Sequence, residues 1–275
     1  PPMVRVFGML GGIAIGAAAG LIGGGLVGGL AGLATLLMGS KSTAISVGIG
    51  VGGAVAMIVA VVTGVWAGAL GTLGKEARKN SAFVWWIVNR LMFLAAATSI
   101  QGSIFYFVMY AFKLSNEEAS SMTGSLTSII GIFIVLTALA SGWISDRIGR
   151  TRLVALSGIV AAAGNILLLI TIWVPNLTIV YVSGTIIGLA TGLFMTANWA
   201  LGTDLVPADE AGRYLGISNL AGAGAGIIGA GIGGLVADMI NRYYMGLGYF
   251  AIFAAYAVLF GLSTVTLLGM REKGK

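Results

Sequence analysis

The stretch "GMLGGIAIGAAAGLIGGGLVGGLAGL", residues 8–33, carries a glycine at every fourth position: Gly8, Gly12, Gly16, Gly20, Gly24, Gly28 and Gly32. Glycine inside a helix costs roughly 1 kcal/mol against alanine, so seven in register need a compensating contact. Hydrocarbon is where such a contact matters. Lipid tails are as apolar as leucine, so helices in a bilayer associate through close backbone packing, which small residues permit. The next apolar segment has a matching stripe: Ala44, Gly48, Gly52, Ala56, Ala60, Gly64 and Gly68. Only "GSKST", residues 39–43, separates the two, so they are expected to pack as an antiparallel hairpin. A period of four exceeds the 3.6 of the helix, which favours a right-handed crossing. A glycine-rich phosphate loop does not fit, because no strand precedes the run and no Lys-Ser/Thr follows it.

Composition agrees with that setting. Hydrophobic residues make up 58% of the chain and charged residues 9%, and the mean hydropathy is +1.01. Soluble domains average about 45–50% apolar with glycine included and about 25% charged. So few charges cannot cover a fold in water. The chain reads as an all-α integral membrane protein of about eight transmembrane helices, with the lipid bilayer as its first partner. There is no cysteine and no histidine, so disulfides, thiol chemistry and imidazole ligation are excluded. No metal site or cofactor is expected, and no nucleophile–base pair suggests an enzyme.

Eight spans are expected near 6–38, 43–72, 83–112, 117–142, 152–174, 178–202, 214–238 and 247–270. "SNEE", residues 115–118, is a capping box that starts the fourth span outside the apolar slab. If the breaks around "EARKNS", "DRIGRTR" and "ADEAGR" share one side with the C-terminus, eleven of the 15 basic residues lie there, including Arg5, Arg213, Arg271, Lys273 and Lys275. Lys41, Lys113 and Arg242 lie opposite. Basic loops stay in the cytoplasm, so the C-terminus is expected to be cytoplasmic. The net charge of +6 is therefore a topology signal, and no nucleic-acid partner is implied.

After the fourth span comes "GWISDRIGRTR", with Gly142, Asp146, Arg147, Gly149, Arg150 and Arg152. It resembles the cytoplasmic loop signature of the major facilitator superfamily, G-x-x-x-D-R-x-G-R plus a basic residue, with Thr151 as the departure and Arg152 as substitute. The loop "GTDLVPADEAGRYLGISN" is similar to one in sugar-type members. The resemblance covers about 80–275. It implies two parts: a glycine-zipper hairpin at 1–75 and a C-terminal six-helix bundle of that family at 76–275. The family's N-terminal six helices are expected upstream, as the partner half.

The resemblance further implies a multi-pass plasma-membrane transporter that moves a small organic solute by alternating access. Asp146 and its flanking arginines would hold the cytoplasmic gate. Helices 83–112 and 178–202 would line the cavity. On them Thr98, Gln101 and Phe105, and Thr191, Phe194 and Asn198, share faces by helical spacing. Hydrogen-bonding groups beside rings suit an uncharged or weakly polar solute; interhelical packing is the other reading of the same residues. Arg90 is the one charge inside a span, and either snorkels to the interface or serves a gate or an anion. The competing function is a non-transporting accessory or assembly subunit of a larger membrane complex, docked through the hairpin.

Overall fold

The computed structural model describes residues 2–207 and 210–270, with side chains omitted at 2–6, 9, 213, 220–223, 227, 228 and 230. Arg5, Arg213, Arg271, Lys273 and Lys275 of the charge argument thus lie outside the described side chains. The described residues fold into α1 (Pro2–Leu36), α2 (Lys41–Leu73), α3 (Glu76–Lys79), α4 (Ser81–Phe112), α5 (Asn116–Ile148), α6 (Arg150–Ile170), α7 (Leu177–Asp204), α8 (Ala211–Gly226), α9 (Gly233–Asn241) and α10 (Leu247–Thr266). No strand occurs among them. Seven of these helices are long and apolar enough to cross a membrane.

The span expected at 214–238 is the exception. It is built from α8, a π-helical segment at Ile227–Ile232, and α9. Its sequence, "AGAGAGIIGAGIGG", has few side chains to hold a neighbour at a distance. A Cβ on Gly229 would collide with the Ser99 hydroxyl and the Ala95 carbonyl of α4. The Tyr256 hydroxyl of α10 donates to the Gly229 carbonyl at 3.3 Å. The widened turn therefore lies where this span meets α4 most closely.

The two glycine stripes meet along their length. A Cβ built on Gly16 would lie 2.6 Å from the Ala60 carbonyl, on Gly20 2.7 Å from that of Ala56, on Gly24 2.5 Å from that of Gly52, and on Gly28 2.5 Å from that of Gly48. Each four-residue step up α1 is answered by a four-residue step down α2. The face of α2 next to the stripe is not lipid-facing: Met57, Val61, Val65, Ala69 and Leu73 join one buried core with α4. The hairpin is thus built onto the helix bundle through α2, while α1 exposes Leu21, Leu26, Leu30 and Leu33.

Within the bundle α4 is the central element, with Phe83, Trp86, Phe93 and Phe107 fully buried. Phe93 stacks on Phe194 of α7, rings 3.7 Å apart and 3° from parallel, and meets Phe260 of α10 edge-on at 4.9 Å. A second small-residue stripe, Gly184, Gly188 and Gly192 on α7, receives Ile130, Ile134 and Thr137 of α5. Side-chain links place the connections at two ends. Ser40 and Thr43 share hydrogen bonds with Tyr244 at one end, and these lower the Tyr244 phenol's pKa from its ordinary value. Asn80 reaches the Leu205 carbonyl at the other end, 3.2 Å away.

Candidate functional site: the open face of the bundle

α4 starts on an Asn80 cap, whose side chain accepts from the Phe83 amide, and is buried over most of its length. The break in that burial is one stripe. Thr98, Gln101, Gly102 and Tyr106 are exposed and Phe105 is half-buried. A helix so apolar and so enclosed has one uncovered side, and its polar residues Thr98 and Gln101 are on it. Thr98 spends its hydroxyl on the Leu94 carbonyl at 2.7 Å. The Gln101 amide makes no hydrogen bond with the described residues, so among them its donors and its acceptor are all unpaired.

Gln101 and Thr191 come together in a crevice between α4, α5 and α7, with Ala97, Thr127 and Ile130. Thr191 donates to the Ile187 carbonyl at 2.7 Å. The crevice holds about 40 Å³. That is room for a few waters, each needing about 10–15 Å³ by this measure, and too little for an organic solute. Any solute site here therefore lies on the open side of α4.

Phe194 and Asn198 turn away from that side. Phe194 is fully buried in the stack with Phe93. Asn198 is fully buried as well: its Nδ2 donates to Asn89 Oδ1 at 2.9 Å, and its Oδ1 accepts from Arg90 Nη1 at 3.2 Å. Asn89 Nδ2 donates in turn to the Ser263 carbonyl at 2.7 Å. The expected shared face of Thr191, Phe194 and Asn198 is divided because α4 brings a ring, an amide and a guanidinium that need partners from α7. Polar groups buried without partners are costly, and this requirement orients the helix.

Arg90 does not snorkel. It is 5% exposed, with its guanidinium 4.4 Å above the Trp199 ring and 5.9 Å from that of Trp86. Trp86 Nε1 donates to the Asn198 carbonyl at 2.9 Å. No carboxylate of the described residues pairs with Arg90. Two indole faces and one amide carry the charge, through cation–π attraction worth about 2 kcal/mol or more when desolvated.

The signature lies at the turn between α5 and α6. Gly149 has φ of +91°, a conformation that side chains disfavour, and its N–H donates to the Ser145 carbonyl. Gly142 is half-buried in the preceding turn, with nothing within 4 Å of a Cβ built there. Arg147 lies 3.8 Å over the Trp143 ring. Arg150 forms an ion pair with Asp204 at the end of α7 and donates to the Ala200 carbonyl at 3.0 Å. Arg152 is exposed. Asp146 is exposed on the last turn of α5 and makes no bond with the described residues. The Arg150–Asp204 link was not read from the sequence; an acid closing a span three residues before Pro207 was the available signal. Among the described residues no group of three His, Cys, Asp or Glu side chains forms a metal cluster.

Comparison with known proteins adds two findings. Residues 91–275 match the family described as "Major Facilitator Superfamily". A stretch of 136 residues, 50% of the chain, is 26% identical to the "Minor myo-inositol transporter IolF" of Bacillus subtilis (strain 168). The aligned part spans 30% of that relative's length. No solved structure matches.

Proposed function

Because the chain belongs to the major facilitator superfamily, we propose that it supplies the C-terminal half of a secondary transporter that moves a small, uncharged, polyhydroxylated solute by alternating access. Residues 76–275 form that half in this reading, and 1–75 form an added glycine-zipper hairpin. The observation that carries it is the uncovered stripe Thr98–Gln101–Phe105 on an otherwise enclosed helix. Beside it, α5 is barely covered by the chain, with Ile132, Val135, Leu136 and Leu139 all exposed. A second six-helix half laid on these surfaces closes a cavity around Gln101, near the midplane where such transporters bind. The spare amide of Gln101 and the ring of Phe105 suit a solute with hydroxyls and no charge, and the relative named as an inositol transporter points the same way.

Asp146 is the gate contact in this reading. Its carboxylate ends α5 with no partner among the described residues, and a helix N-terminus from the other half attracts such a charge. Arg147 and Arg150 brace it, the one through Trp143 and the other through Asp204. The protein lies in the plasma membrane with the signature turn and the C-terminus in the cytoplasm, by the basic-loop bias. The test is uptake of tritiated myo-inositol into proteoliposomes carrying the full-length protein. Saturable uptake that Gln101→Ala weakens in apparent affinity, and that Asp146→Asn slows without loss of insertion, is expected. Unchanged uptake in both variants overturns the assigned roles, and no uptake by the parent overturns the solute class.

A further inference from the structure

At the end of the bundle opposite Gly149, α4, α9 and the start of α10 enclose a cleft of about 500 Å³, lined by Ser103, Tyr106, Asp238, Asn241 and Tyr249 among others. That volume lies within the roughly 300–1,000 Å³ of small-molecule sites. A larger groove between α1, α2 and α9, about 870 Å³, is walled almost entirely by glycine and aliphatic side chains and is what lipid tails would fill. The cleft differs in its chemistry. On α4 it begins one residue beyond Gln101, so it continues the open stripe toward that end of the bundle.

Its walls are fixed before any ligand arrives. The Tyr249 hydroxyl donates to the Tyr106 carbonyl at 3.2 Å, and its ring rests 5.5 Å from Tyr110 and 5.7 Å from Phe107. Asn241 Oδ1 accepts from the amides of Gly246, 3.0 Å, and Gly248, 2.9 Å, and its Nδ2 has no partner among the described residues. Tyr106 is 56% exposed, its ring and hydroxyl uncommitted to hydrogen bonds. Asp238 accepts from Arg242 at 2.6 Å.

That last pair decides the class of ligand. The carboxylate has a counter-ion one helical turn on, in a solvent-exposed pair, so the cleft sets acceptors and donors side by side with its one lining charge partly countered. A cation would compete with Arg242 for the carboxylate, and an anion would face that carboxylate. Adjacent hydroxyls satisfy both, donating to Asp238 and accepting from Asn241. A tyrosine face suits the C–H side of a ring. We infer that this cleft is a second, vestibular binding site for the neutral polyhydroxylated solute, occupied on the way to or from the stripe at Gln101. This rests on the solute class proposed above.

The test uses the full-length protein in nanodiscs with a single introduced cysteine, Gly234→Cys. Gly234 lines the cleft and a Cβ there meets nothing within 4 Å, so the thiol fits. Its alkylation should be slowed by myo-inositol in a saturable way, and not by equal tetraethylammonium or acetate. Adding Asp238→Asn should raise the half-protecting concentration about tenfold, as expected for one hydrogen bond to a charged acceptor. No protection in a protein that takes up myo-inositol overturns the vestibule and leaves the transport reading standing. Protection without uptake does the reverse. Protection by the cation or the anion as well overturns the neutral class, and absence of both protection and uptake removes the two together.

Discussion

A disulfide across the hairpin tests the seam directly. Gly23 and Val59 flank it, and a Cβ on Gly23 would lie 3.9 Å from that of Val59. Native disulfides bridge Cβ atoms about 3.5–4.5 Å apart, so Gly23→Cys with Val59→Cys should oxidise readily. The perturbation is then Gly24→Ile in that background. A Cβ at Gly24 falls 2.5 Å from the Gly52 carbonyl and 2.7 Å from the Ala56 Cβ, where ordinary carbon contacts sit at about 3.5–4.0 Å. The backbones must therefore part by about 1 Å, a gap that forfeits roughly a quarter to a half of each contact's attraction. Overpacking of this kind costs about 1–3 kcal/mol, or roughly 5- to 150-fold in the ratio of docked to separated hairpin. The assay is the initial rate of disulfide formation, read by gel shift after alkylation of free thiols. Gly25→Ala is the control, because its Cβ meets nothing within 4 Å. Equal rates with and without Gly24→Ile would refute the reasoning, as would two alkylated thiols and no disulfide in the parent pair.

Asn198→Ala should lower folded yield, by about 1.5–3 kcal/mol for one hydrogen bond to a buried charge, as measured by detergent melting; Arg90→Met added to it should restore part of the loss. Gly229→Ala should cost about 1–3 kcal/mol by overpacking against Ala95 and Ser99, visible in the same melting assay. Asp204→Asn should move stability by no more than about 1 kcal/mol, because the pair with Arg150 is partly exposed; a larger shift would show that the pair holds α6 to α7.

Local signals were readable in the sequence because they act within a few residues. Ser115 and Glu118 form the expected box, with the Glu118 carboxylate 2.9 Å from the Ser115 amide. The stripes of α1 and α2 were readable because a four-residue period repeated over seven positions has few other meanings in lipid. By spacing Asn198 shares a face with Thr191, yet in the fold it is buried against Asn89 and Arg90. Spacing gives the residues that share a face, but the neighbour that covers that face is set by Asn89 and Arg90, more than a hundred positions earlier. For Arg90 the sequence leaves snorkelling and a gate or anion contact both open, because Trp199, the ring that lies over it, is also more than a hundred positions away. The cleft at Asp238 left no contiguous trace, since three separate helices each bring one or two of its groups.

The zipper of α1 on α2 is periodic, and a periodic contact cannot choose its own phase. Sliding one helix by four residues, about 6 Å at 1.5 Å per residue, again sets small residues against small residues over most of the seam. Such a rail has several near-equivalent stops. What selects among them is aperiodic: the four residues 37–40 that join the helices, the Ser40 and Thr43 bonds to Tyr244 that fix the start of α2, and the places where alanine replaces glycine on α2. The stripe supplies adhesion, and these few residues supply the address.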